Sequence, residues 1–593
     1  MTFLSKKRDE KDLEKLAGYP ELLKRLLLNR GIETREAAEA FLQPDYERDL
    51  NDPFLLPDMD KAVERILNAI AGDEKIAIYS DYDADGIPGG VILHDFFKKI
   101  GYENFINYIP HRHLEGFGLN HEAVEKLKGV GVRLVITVDC GIADIEEVIR
   151  AKEQGIEVII TDHHMPVSIC SDKSCPDERI ENIPNCVAVI DTKRSDSRYP
   201  FRELCGAGVA FKLVQAILKK KDFGLKEGME KWLLDMVGIA TLSDMVPLVG
   251  ENRALAYYGL KVLRKSPRLG LLKLLRLLKI DQKQITEDDV GFSISPRINA
   301  ASRMGSPEDA FRLFVAETDA EADVCAKHLD HINNERKGTV ASIVKEVRKI
   351  MKKRYDDGFD HKVVVIGNHE WKPSLLGLVA NSLVDDHNRP VFLWGRDGGN
   401  ILKGSCRGDG CVSTLDLMNE VETGIFIEFG GHSMSGGFAV VQEKVHLLEE
   451  KLQLAYEKVI LKGTIIKEEV LADAEITFDD VTRDNYKLIE KLAPFGTGNP
   501  KPLFLFEGSI IENVKIFGKE NNHLELTFNN SKGRPVKAIG FFMKATGWPV
   551  PGRPGEVGEG ELKKGDKISL LANFEKSTFR GFDELRLRIV DIS

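Results

Sequence analysis

The sequence has few cysteines and lacks long apolar runs. Its 593 residues include eight cysteines, too few for a disulfide scaffold. No uninterrupted apolar stretch reaches the roughly 18 to 20 residues of a membrane span, and the first residues, MTFLSKKRDEKDLEK, carry charges where a signal peptide has its apolar core. We therefore expect a cytoplasmic protein that does not enter a membrane. A phosphate-binding loop of the type G-x-x-x-x-G-K-[ST] is also missing, so ATP-driven unwinding is not expected.

The length and composition indicate several folded domains. A chain of 593 residues is about four times as long as the roughly 150 residues expected for one domain. Hydrophobic residues make up 42% of the chain, enough to fill several cores, and the net charge is −11. This charge argues against a protein that is basic over its whole surface, but it leaves room for a local basic groove.

Strands and helices alternate in the first half of the chain. Apolar runs of strand length are separated by segments of helix length such as Val91–Ile100 and Ala143–Gln154. The apolar runs are Lys75–Ser80, Arg133–Val138, Glu157–Thr161 and Val187–Ile190. This alternation predicts an α/β fold with a doubly wound parallel sheet, because strands covered on both faces have continuous apolar sequences.

The rest of the chain divides into further regions. A long helical connector is followed by a smaller α/β unit that begins with the strand Lys362–Ile366, and short alternating runs after residue 461 predict a C-terminal β-barrel. The expected boundaries are an N-terminal helical segment at 1–50, a first α/β domain at 51–305, the connector at 306–358, the second α/β domain at 359–461 and the barrel at 462–593.

Acidic residues and histidines stand at the ends of three of the predicted strands. They are Asp81-Tyr82-Asp83-Ala84-Asp85-Gly86, Asp139-Cys140-Gly141 and Asp162-His163-His164, and a further carboxylate, Asp244, follows a helix-like segment. In open parallel sheets, ligands bind beyond the carboxyl ends of the strands. A single aspartate there would more often cap a helix or lie in a solvated loop, but the same composition at three strand ends indicates a functional site.

A cluster of carboxylates and imidazoles at one sheet edge indicates a metal site. Four or more carboxylates would repel one another unless cations neutralised them, and mixed carboxylate and imidazole ligands suit Mn²⁺ or Mg²⁺. Two such ions about 3.5–4 Å apart stabilise the attacking and leaving oxygens of a phosphoryl displacement. We therefore expect two divalent ions, Mn²⁺ or Mg²⁺, and hydrolysis of a phosphodiester.

These residues resemble the DHH phosphoesterase family, and within it the RecJ branch of single-strand-specific 5′→3′ exonucleases. The matching motifs follow the family's order over about residues 50–593. They are SDYDADG (80–86), VDCG (138–141), TDHH (161–164), LCGAGVAFKL (204–213), ATLSDMVPL (240–248), SPRINAASRMG (295–305), GSCR (404–407), GGH (430–432) and PFGTGNP (494–500). The resemblance implies a DHH catalytic domain, a DHH-associated domain that grips nucleic acid, and a barrel of the oligonucleotide-binding (OB) type.

The resemblance implies a role for each residue of the predicted metal site. The implied ligands are Asp83 and Asp85 on different metals, Asp139 bridging both, His163 and Asp244 at the second metal, and His164 beside the phosphate or the first metal. Asp139 and His164 are thus the expected catalytic residues. Asp81 and Asp162 would orient the ligands or bind metal themselves.

The resemblance also implies a pocket for the 5′ end of a strand. In the DHH-associated domain, Ser405 and Arg407 would hold the terminal phosphate, since a guanidinium group can bind two phosphate oxygens. The turn Gly430-Gly431-His432 would bring backbone N–H groups close to it. The implied contacts from the first domain are Arg112 at the same pocket and Arg297 and Arg303 along the strand path. Candidate base-stacking residues of the barrel are Phe517, Phe528, Phe574, Phe579, Arg580 and Phe582, about half of which we expect in the core.

The resulting hypothesis is metal-dependent removal of 5′-nucleotides from single-stranded DNA, in DNA repair and recombination. The resemblance favours a monomer that works with a helicase and a single-strand-binding protein. Alternatives remain. A DHH phosphodiesterase of short oligoribonucleotides or cyclic dinucleotides would lack the connector and barrel, and a non-catalytic scaffold would lack metal ligands. Long RNA stays open as a substrate, because nothing in the sequence reads the 2′-hydroxyl group.

Overall fold

The structure is a computed structural model of the 593-residue chain. It describes residues 4–6, 10–170, 179–358, 361–396, 401–462, 471–518, 521–543, 546–548, 560–577 and 583–593. The chain forms two compact units: the larger comprises Asp52–Asp244 and Gly259–Glu468, and the smaller comprises Met1–Asn51, Met245–Tyr258 and Glu469–Ser593. Within the described ranges, no helix is both long enough and apolar enough to cross a membrane.

The N-terminal region is mostly helical. It contains strand β1 (Leu4–Ser5) and helices α1 (Glu10–Glu14), α2 (Glu21–Leu28), α3 (Arg35–Leu42), α4 (Tyr46–Asp49) and α5 (Met59–Ala71). Thr34 and Asp45 begin α3 and α4, because each side chain accepts a hydrogen bond from a backbone N–H group of the first turn.

Strands and helices alternate in the next region. Its elements are β2 (Ile76–Ser80), α6 (Gly86–Lys99), β3 (Phe105–Tyr108), α7 (His121–Gly129), β4 (Leu134–Val138), α8 (Ile145–Glu153), β5 (Glu157–Asp162), β6 (Val167–Cys170), β7 (Arg179–Asn182), β8 (Ala188–Asp191) and α9 (Gly206–Lys220). Five of the strands form a parallel sheet in the order β3-β2-β4-β5-β8. Every residue of β2, β4 and β8 is buried, which confirms the predicted doubly wound sheet.

The strand order creates a crevice at one edge of this first sheet. The chain passes from β2 outward to β3 and then returns to β4 on the other side of β2. The connections therefore leave β2 and β4 in opposite directions, and such a switch point opens a crevice at the carboxyl ends of the two strands. Except for Asp244, the predicted metal ligands follow these strands and the neighbouring β5.

A helical region connects the first sheet to the second. It contains α10 (Leu234–Ser243), α11 (Gly250–Leu263), α12 (Leu269–Leu278), α13 (Glu287–Asp289), α14 (Ser295–Met304), α15 (Glu308–Val315) and α16 (Asp319–Asp356). The predicted connector is thus the short α15 followed by α16, a single helix of 38 residues. A π-helical turn at Val290–Ile294 leads directly into α14.

The second sheet is smaller and mostly antiparallel. Its region contains β9 (Val364–Gly367), α17 (Pro373–His387), β10 (Val391–Arg396), β11 (Ile401–Arg407), α18 (Thr414–Glu420), β12 (Phe426–Gly431), β13 (Ser435–Val441) and α19 (Leu448–Leu461). The strand order is β12-β13-β11-β10-β9, with only β9 and β10 parallel. Alternate residues of the strands pack on opposite faces, against α16 and α17 on one side and α18 and α19 on the other.

The C-terminal region forms a seven-stranded sheet. The region contains β14 (Leu471–Ala472), β15 (Ala474–Glu475), α20 (Arg483–Glu490), β16 (Phe504–Ile510), β17 (Asn513–Phe517), β18 (His523–Asn529), β19 (Pro535–Phe541), β20 (Thr546–Trp548), β21 (Gly560–Glu561), β22 (Lys567–Ser577) and β23 (Glu584–Ile592). The order in the sheet is β15-β16-β22-β23-β19-β18-β17. Its strands cover the runs predicted for the barrel.

The N-terminal helices belong to the same core as the C-terminal sheet. Leu23 and Leu26 of α2 are buried in one cluster with Phe504, Phe528 and Leu570, and β1 pairs with β14. The sequence-based boundaries place 1–50 and 462–593 in separate segments, whereas in the structure the two form one unit because they share this apolar core. The other predicted boundaries stay predictions.

Candidate functional site

The acidic strand ends meet at the carboxyl edge of the first sheet. The register aligns Ser80, Val138 and Thr161, so the residues that follow them, Asp81, Asp139 and Asp162, stand side by side. The backbone of Asp139 has a φ of 63°. A non-glycine residue rarely adopts this left-handed conformation, and such strain is concentrated at functional sites.

His163 lies at the centre of the cluster. Its Nε2 atom is 3.1 Å from Oδ1 of Asp139, 3.6 Å from Oδ2 of Asp85 and 3.7 Å from Oδ2 of Asp244. Asp244 reaches this point from the C-terminal end of α10. Burial lowers the pKa of His163, which keeps the imidazole neutral and leaves a lone pair for a metal ion.

The possible ligand atoms form three groups, each within 4.8 Å. The groups are Asp139, His163 and His164; Asp85, His163 and Asp244; and Asp81, Asp83 and Asp139. Asp139 and His163 each belong to two groups, which suits a pair of ions that share ligands. The structure thus brings together all the predicted ligands and also Asp81.

The electrostatics of the cluster favour a bound cation. Burial and then the neighbouring carboxylates, Asp85 foremost, raise the pKa of Asp139 well above its ordinary value. Burial and Asp85 also raise the pKa of Asp244 to about 8. Within the described part of the chain, the Oδ1 atoms of Asp139 and Asp81 are buried and accept no hydrogen bond. Buried oxygens without donors are costly unless a cation binds them, so these residues fit a divalent metal ion.

Asp162 holds His164. The carboxylate accepts a hydrogen bond of 2.7 Å from Nδ1 of His164, and it also accepts the backbone N–H groups of Ile142 and His163. Burial would raise the pKa of Asp162, but the hydrogen bond from His164 brings it below its ordinary value. Burial likewise opposes a charge on His164, yet the same hydrogen bond raises its pKa to about 9. His164 is therefore a half-exposed cation at neutral pH.

Backbone groups position Asp85 and its loop. Asp85 accepts hydrogen bonds of 2.6 and 2.7 Å from the N–H groups of Gly206 and the following residue, at the N-terminus of α9, where the helix dipole favours a carboxylate. Oδ1 of Asn299 accepts the N–H group of the residue before Asp85 at 2.9 Å. A Cβ atom at Gly206 would lie 2.5 Å from Cβ of Asp139, so this position requires glycine. Gly206 and Asn299 are not among the predicted site residues, although both lie in motifs that carry the resemblance.

A cavity of about 500 Å³ adjoins the metal cluster. Its first wall includes Tyr82, Arg112 and Phe117, and its second wall, from the second sheet and α17, includes Ser374, Lys403, Ser405 and Phe429. The ring of Phe117 meets the ring of His164 edge-on, with centroids 5.6 Å apart. Cations, hydroxyl groups and exposed rings in one cleft suit a nucleic-acid strand, because the cations contact phosphates and the rings stack on bases.

The predicted 5′-end residues lie on or next to two strands of the second sheet, β11 and β12, which are separated by β13. Ser405 and Arg407 are on β11, and Gly431 ends β12. Ser405 lines the cavity, whereas Arg407 and His432 are not among its described lining residues. Burial lowers the pKa of Arg407, and its Nη1 atom donates a hydrogen bond to the carbonyl group of Cys406.

The three predicted arginines of the first domain have different surroundings. Arg112 lines the cavity, with its guanidinium carbon 4.8 Å from the ring centre of Tyr82. Arg303 donates a hydrogen bond of 2.6 Å to the carbonyl group of Ser374. Arg297 is buried and donates two hydrogen bonds to Asp330, which ties α14 to α16. A strand contact of Arg297 stays a prediction.

The candidate stacking residues of the C-terminal region differ in burial. Phe528 and Phe574 are buried in its core, while Phe517 is half-buried, with its ring beside His523. Phe542, which was not a candidate, is 81% exposed next to His523. The other candidates, Phe579, Arg580 and Phe582, lie outside the described residues.

Fold and site together define a phosphoesterase of the DHH class. The family model described as "DHH family, N-terminal domain" matches residues 75–241, which contain the acidic strand ends. The model described as "RecJ OB domain" matches residues 472–591, which contain the seven-stranded sheet.

Comparison with known proteins identifies the family within this class. A single-stranded-DNA-specific exonuclease RecJ of Bacillus subtilis is 34% identical over 576 residues, which cover 96% of this chain and 67% of the relative. RecJ of Thermus thermophilus is 31% identical over 495 residues, which cover 82% of this chain and 68% of the relative. A crystal structure of Thermus thermophilus RecJ in complex with Mn²⁺ superposes with a TM-score of 0.77 at 25% identity, covering 99% of this chain and 78% of that one. The chain belongs to the RecJ family.

Proposed function

We propose that the chain is a metal-dependent exonuclease that degrades single-stranded DNA from its 5′ end and releases 5′-nucleotides. One observation carries the proposal: Oδ1 of Asp139 is buried and accepts no hydrogen bond from the described residues, while Nε2 of His163 lies 3.1 Å away. Two lone-pair atoms in this arrangement are stabilised by a cation that both can bind. Family membership supports the substrate class, since the named relatives are single-stranded-DNA-specific exonucleases.

The cluster at the first sheet is the proposed catalytic centre. The residues that would hold the metal are Asp83, Asp85, Asp139, His163 and Asp244, with Asp81 as a further oxygen donor and His164 beside them. Mn²⁺ or Mg²⁺ ions bound there supply positive charge for the phosphoryl transition state and lower the pKa of water. Asp139 would serve both ions, because it belongs to two of the three ligand groups. Hydrolysis needs no covalent intermediate, so we assign no nucleophilic serine or cysteine.

His164 would act on the phosphate itself. Its hydrogen bond to Asp162 raises its pKa to about 9, so the ring carries a proton at neutral pH. The ring is half-exposed and contacts the cavity-lining Phe117. An imidazolium group in this position can donate a hydrogen bond to a phosphate oxygen and stabilise the charge that develops there. Asp162 would orient the ring and preserve its charge.

The second sheet would hold the 5′ end. Ser405 offers a hydroxyl group in the cavity and Arg112 a cation on the facing wall. Arg407, Gly431 and His432 would complete the phosphate pocket through the guanidinium group and the hairpin backbone. Arg303 and Arg297 would bind the strand further along. A terminal phosphate held at a fixed place would set both the polarity and the size of the product.

The OB domain would have a strand-binding surface of its own. Phe542 and Phe517 are exposed or half-exposed beside His523, and base stacking on such rings contributes roughly 1–3 kcal/mol per base. We further propose that the protein is a cytoplasmic monomer that acts in DNA repair and recombination, with a helicase and a single-strand-binding protein as partners.

A digestion assay tests the proposal. A 5′-phosphorylated, 3′-labelled DNA strand is incubated with Mn²⁺ or Mg²⁺, and separately with a chelator, beside a matched duplex and an RNA strand of the same sequence. We expect metal-dependent shortening of the DNA single strand, with the label retained until the last steps. Cleavage of RNA or very short oligomers alone would instead favour a small-substrate phosphodiesterase, and binding without cleavage would favour a scaffold.

A further inference from the structure

The loop between β3 and α7 brings one apolar ring next to the metal cluster. Phe117 lies between Gly116 and Gly118, whose φ angles of 84° and 78° are in the left-handed region that favours glycine. Its ring is 50% exposed and lines the cavity. The ring meets those of His164 and Tyr82 edge-on, with centroids 5.6 and 6.4 Å from its own. Phe117 is therefore part of the cavity surface beside the proposed catalytic imidazole.

The backbone that follows Phe117 is held from two sides. The hydroxyl group of Tyr79 donates a hydrogen bond of 2.7 Å to the carbonyl group of Gly118. Oδ2 of Asp144 accepts the N–H group of Leu119, also at 2.7 Å, and a Cβ atom at Gly118 would lie 2.4 Å from this oxygen. Asp144 directly precedes α8, but its side chain does not cap that helix, so the carboxylate serves the loop. Phe117 stays in place unless these contacts break.

The sugar of the first nucleotide would lie against this ring. In the proposed function, Ser405 and Arg112 hold the terminal phosphate and His164 contacts the linkage that is cut, so this sugar lies between the two points. The 3′ oxygen of the sugar carries the linkage, and the 2′ carbon is bonded to the 3′ carbon. The 2′-hydroxyl group of a ribonucleotide, which distinguishes RNA from DNA, is therefore close to the phosphate and to Phe117.

A hydroxyl group has an unfavourable neighbour at this point. The ring of Phe117 offers no ordinary hydrogen-bond acceptor, and a protonated His164 donates hydrogen bonds only. Acceptors such as Ser405 and Glu428 come from the second sheet. A 2′-hydroxyl group that leaves water for this place loses hydrogen bonds without replacement. The 2′ methylene group of a deoxyribose instead gains an apolar contact.

We propose that Phe117 is a specificity-determining residue that favours deoxyribose over ribose in the first nucleotide, and that Asp144 is the positioning residue that holds it. The inference rests on the proposed function, because the ring acts on a strand whose 5′ end is bound in the cavity. The preference comes from packing against an apolar ring, so it needs no group that binds the 2′-hydroxyl.

The first test places a single ribonucleotide in a DNA strand. The full chain with Mn²⁺ releases the first nucleotide from 5′-phosphorylated oligodeoxythymidylates in a single turnover, with ribose at the first position, at an interior position or nowhere. We expect a first-position ribose to slow release by the unsubstituted chain roughly ten- to a hundredfold, and an interior ribose to have little effect. In Phe117→Ala, the all-deoxyribose and first-position ribose strands should react at similar rates.

The ratio of the two rates separates discrimination from a general loss of activity. If Phe117→Ala slows both reactions because the contact with His164 is lost, the ratio still reports how the sugar is selected. Leu114→Ala is the matched control, because Leu114 belongs to the same loop and is 82% exposed. It should keep the ratio of the unsubstituted chain.

The second test concerns the residue that holds the loop. Asp144→Ala removes the acceptor of the Leu119 N–H group and should lower the discrimination roughly fivefold. Asp144→Asn keeps an oxygen acceptor at the same place and should restore it. A role of Asp144 in stability alone would leave the ratio unchanged in both variants, which would refute the positioning role.

The outcomes distinguish this inference from the function on which it rests. An unchanged ratio in Phe117→Ala, or an unsubstituted chain that releases a ribonucleotide and a deoxyribonucleotide equally fast, would overturn the assignment of Phe117. An unsubstituted chain that cuts no single-stranded DNA would instead contradict the proposed function.

Discussion

At the scale of single residues, the proposed metal centre consists largely of carboxylates that are unfavourable without metal. Burial and mutual repulsion raise the pKa of Asp139, Asp85 and Asp81. A carboxyl group whose pKa is raised by folding destabilises the folded chain at any pH above its ordinary value, because the unfolded chain ionises more easily. The metal-free protein therefore carries a stability cost that bound cations relieve.

Replacement of the predicted bridging carboxylate, Asp139, tests whether it binds metal at a cost in the stability of the metal-free protein. We expect Asp139→Asn to lower the turnover number by roughly a thousandfold or more, since the metal centre contributes several kcal/mol to the transition state. Without metal, at pH 8, the variant should melt no lower than the unsubstituted chain, and Mn²⁺ should raise its melting temperature less. Asp356→Asn, at an exposed position ending α16, serves as control. Normal turnover by Asp139→Asn would refute the bridging role.

Arg407 tests the 5′-phosphate pocket. Arg407→Gln removes a half-buried guanidinium group whose charge-assisted hydrogen bonds should favour a phosphorylated end. The preference for 5′-phosphate over 5′-hydroxyl strands, measured as a ratio of kcat/KM values, should fall roughly tenfold or more. Arg396→Gln, on the neighbouring strand β10 and exposed, is the matched control. An unchanged ratio would show that another residue recognises the phosphate.

At the scale of elements, one helix terminus supports the metal centre. The first N–H groups of α9 hold Asp85, and the lack of a side chain at Gly206 lets this helix approach Asp139. The strand ends and the end of α10 supply the predicted ligands, while backbone N–H groups of α9 hold the carboxylate of Asp85 in place. The geometry of the site therefore depends on the packing of α9 against the sheet.

A pair of glycines in α9 makes this dependence measurable. In Gly206→Ala, the new Cβ would lie 2.5 Å from Cβ of Asp139, whereas in Gly208→Ala it would meet no atom closer than 3.6 Å. We expect Gly206→Ala to require at least roughly tenfold more Mn²⁺ for half-maximal activity, because Asp139 and Asp85 must shift. Gly208→Ala should behave like the unsubstituted chain. Equal metal requirements in both variants would show that α9 does not set the ligand positions.

Much of the architecture could be predicted from local sequence patterns. The apolar runs before Asp81, Asp139 and Asp162 are continuous, as buried parallel strands require, and each run ends at its acidic motif. Strand β3 (Phe105–Tyr108) is not predicted from a continuous apolar run, because all four of its residues are only half-buried. It has no continuous buried run to reveal it.

Residue partners were harder to predict, because they depend on packing between distant segments. The motif around Arg297 predicts a contact with the DNA strand, yet in the structure Arg297 on α14 is paired with Asp330 on α16. No local pattern shows that Leu23 shares a core with Phe528, more than 500 residues later in the chain.

At the scale of the whole molecule, the two units contain different domains. The larger unit contains the first sheet, the connector α16 and the second sheet, so the metal cluster and the predicted 5′-end pocket belong to one compact body. The smaller unit combines the OB domain with the N-terminal helices and residues 245–258. Removal of the C-terminal region would expose the apolar face of α2, so the OB domain is better tested by substitution of exposed rings such as Phe542 than by truncation.

We propose that the Asp and His cluster of the larger unit is the metal centre of the nuclease, and this assignment can be tested by diffraction. The most direct measurement is anomalous diffraction at the manganese edge from crystals of the full chain grown with Mn²⁺. We expect two peaks about 3.5–4 Å apart, with Asp139 in contact with both, and loss of at least one peak in Asp139→Asn. Peaks elsewhere in the chain, or an empty cluster in a preparation that cuts single-stranded DNA, would contradict it.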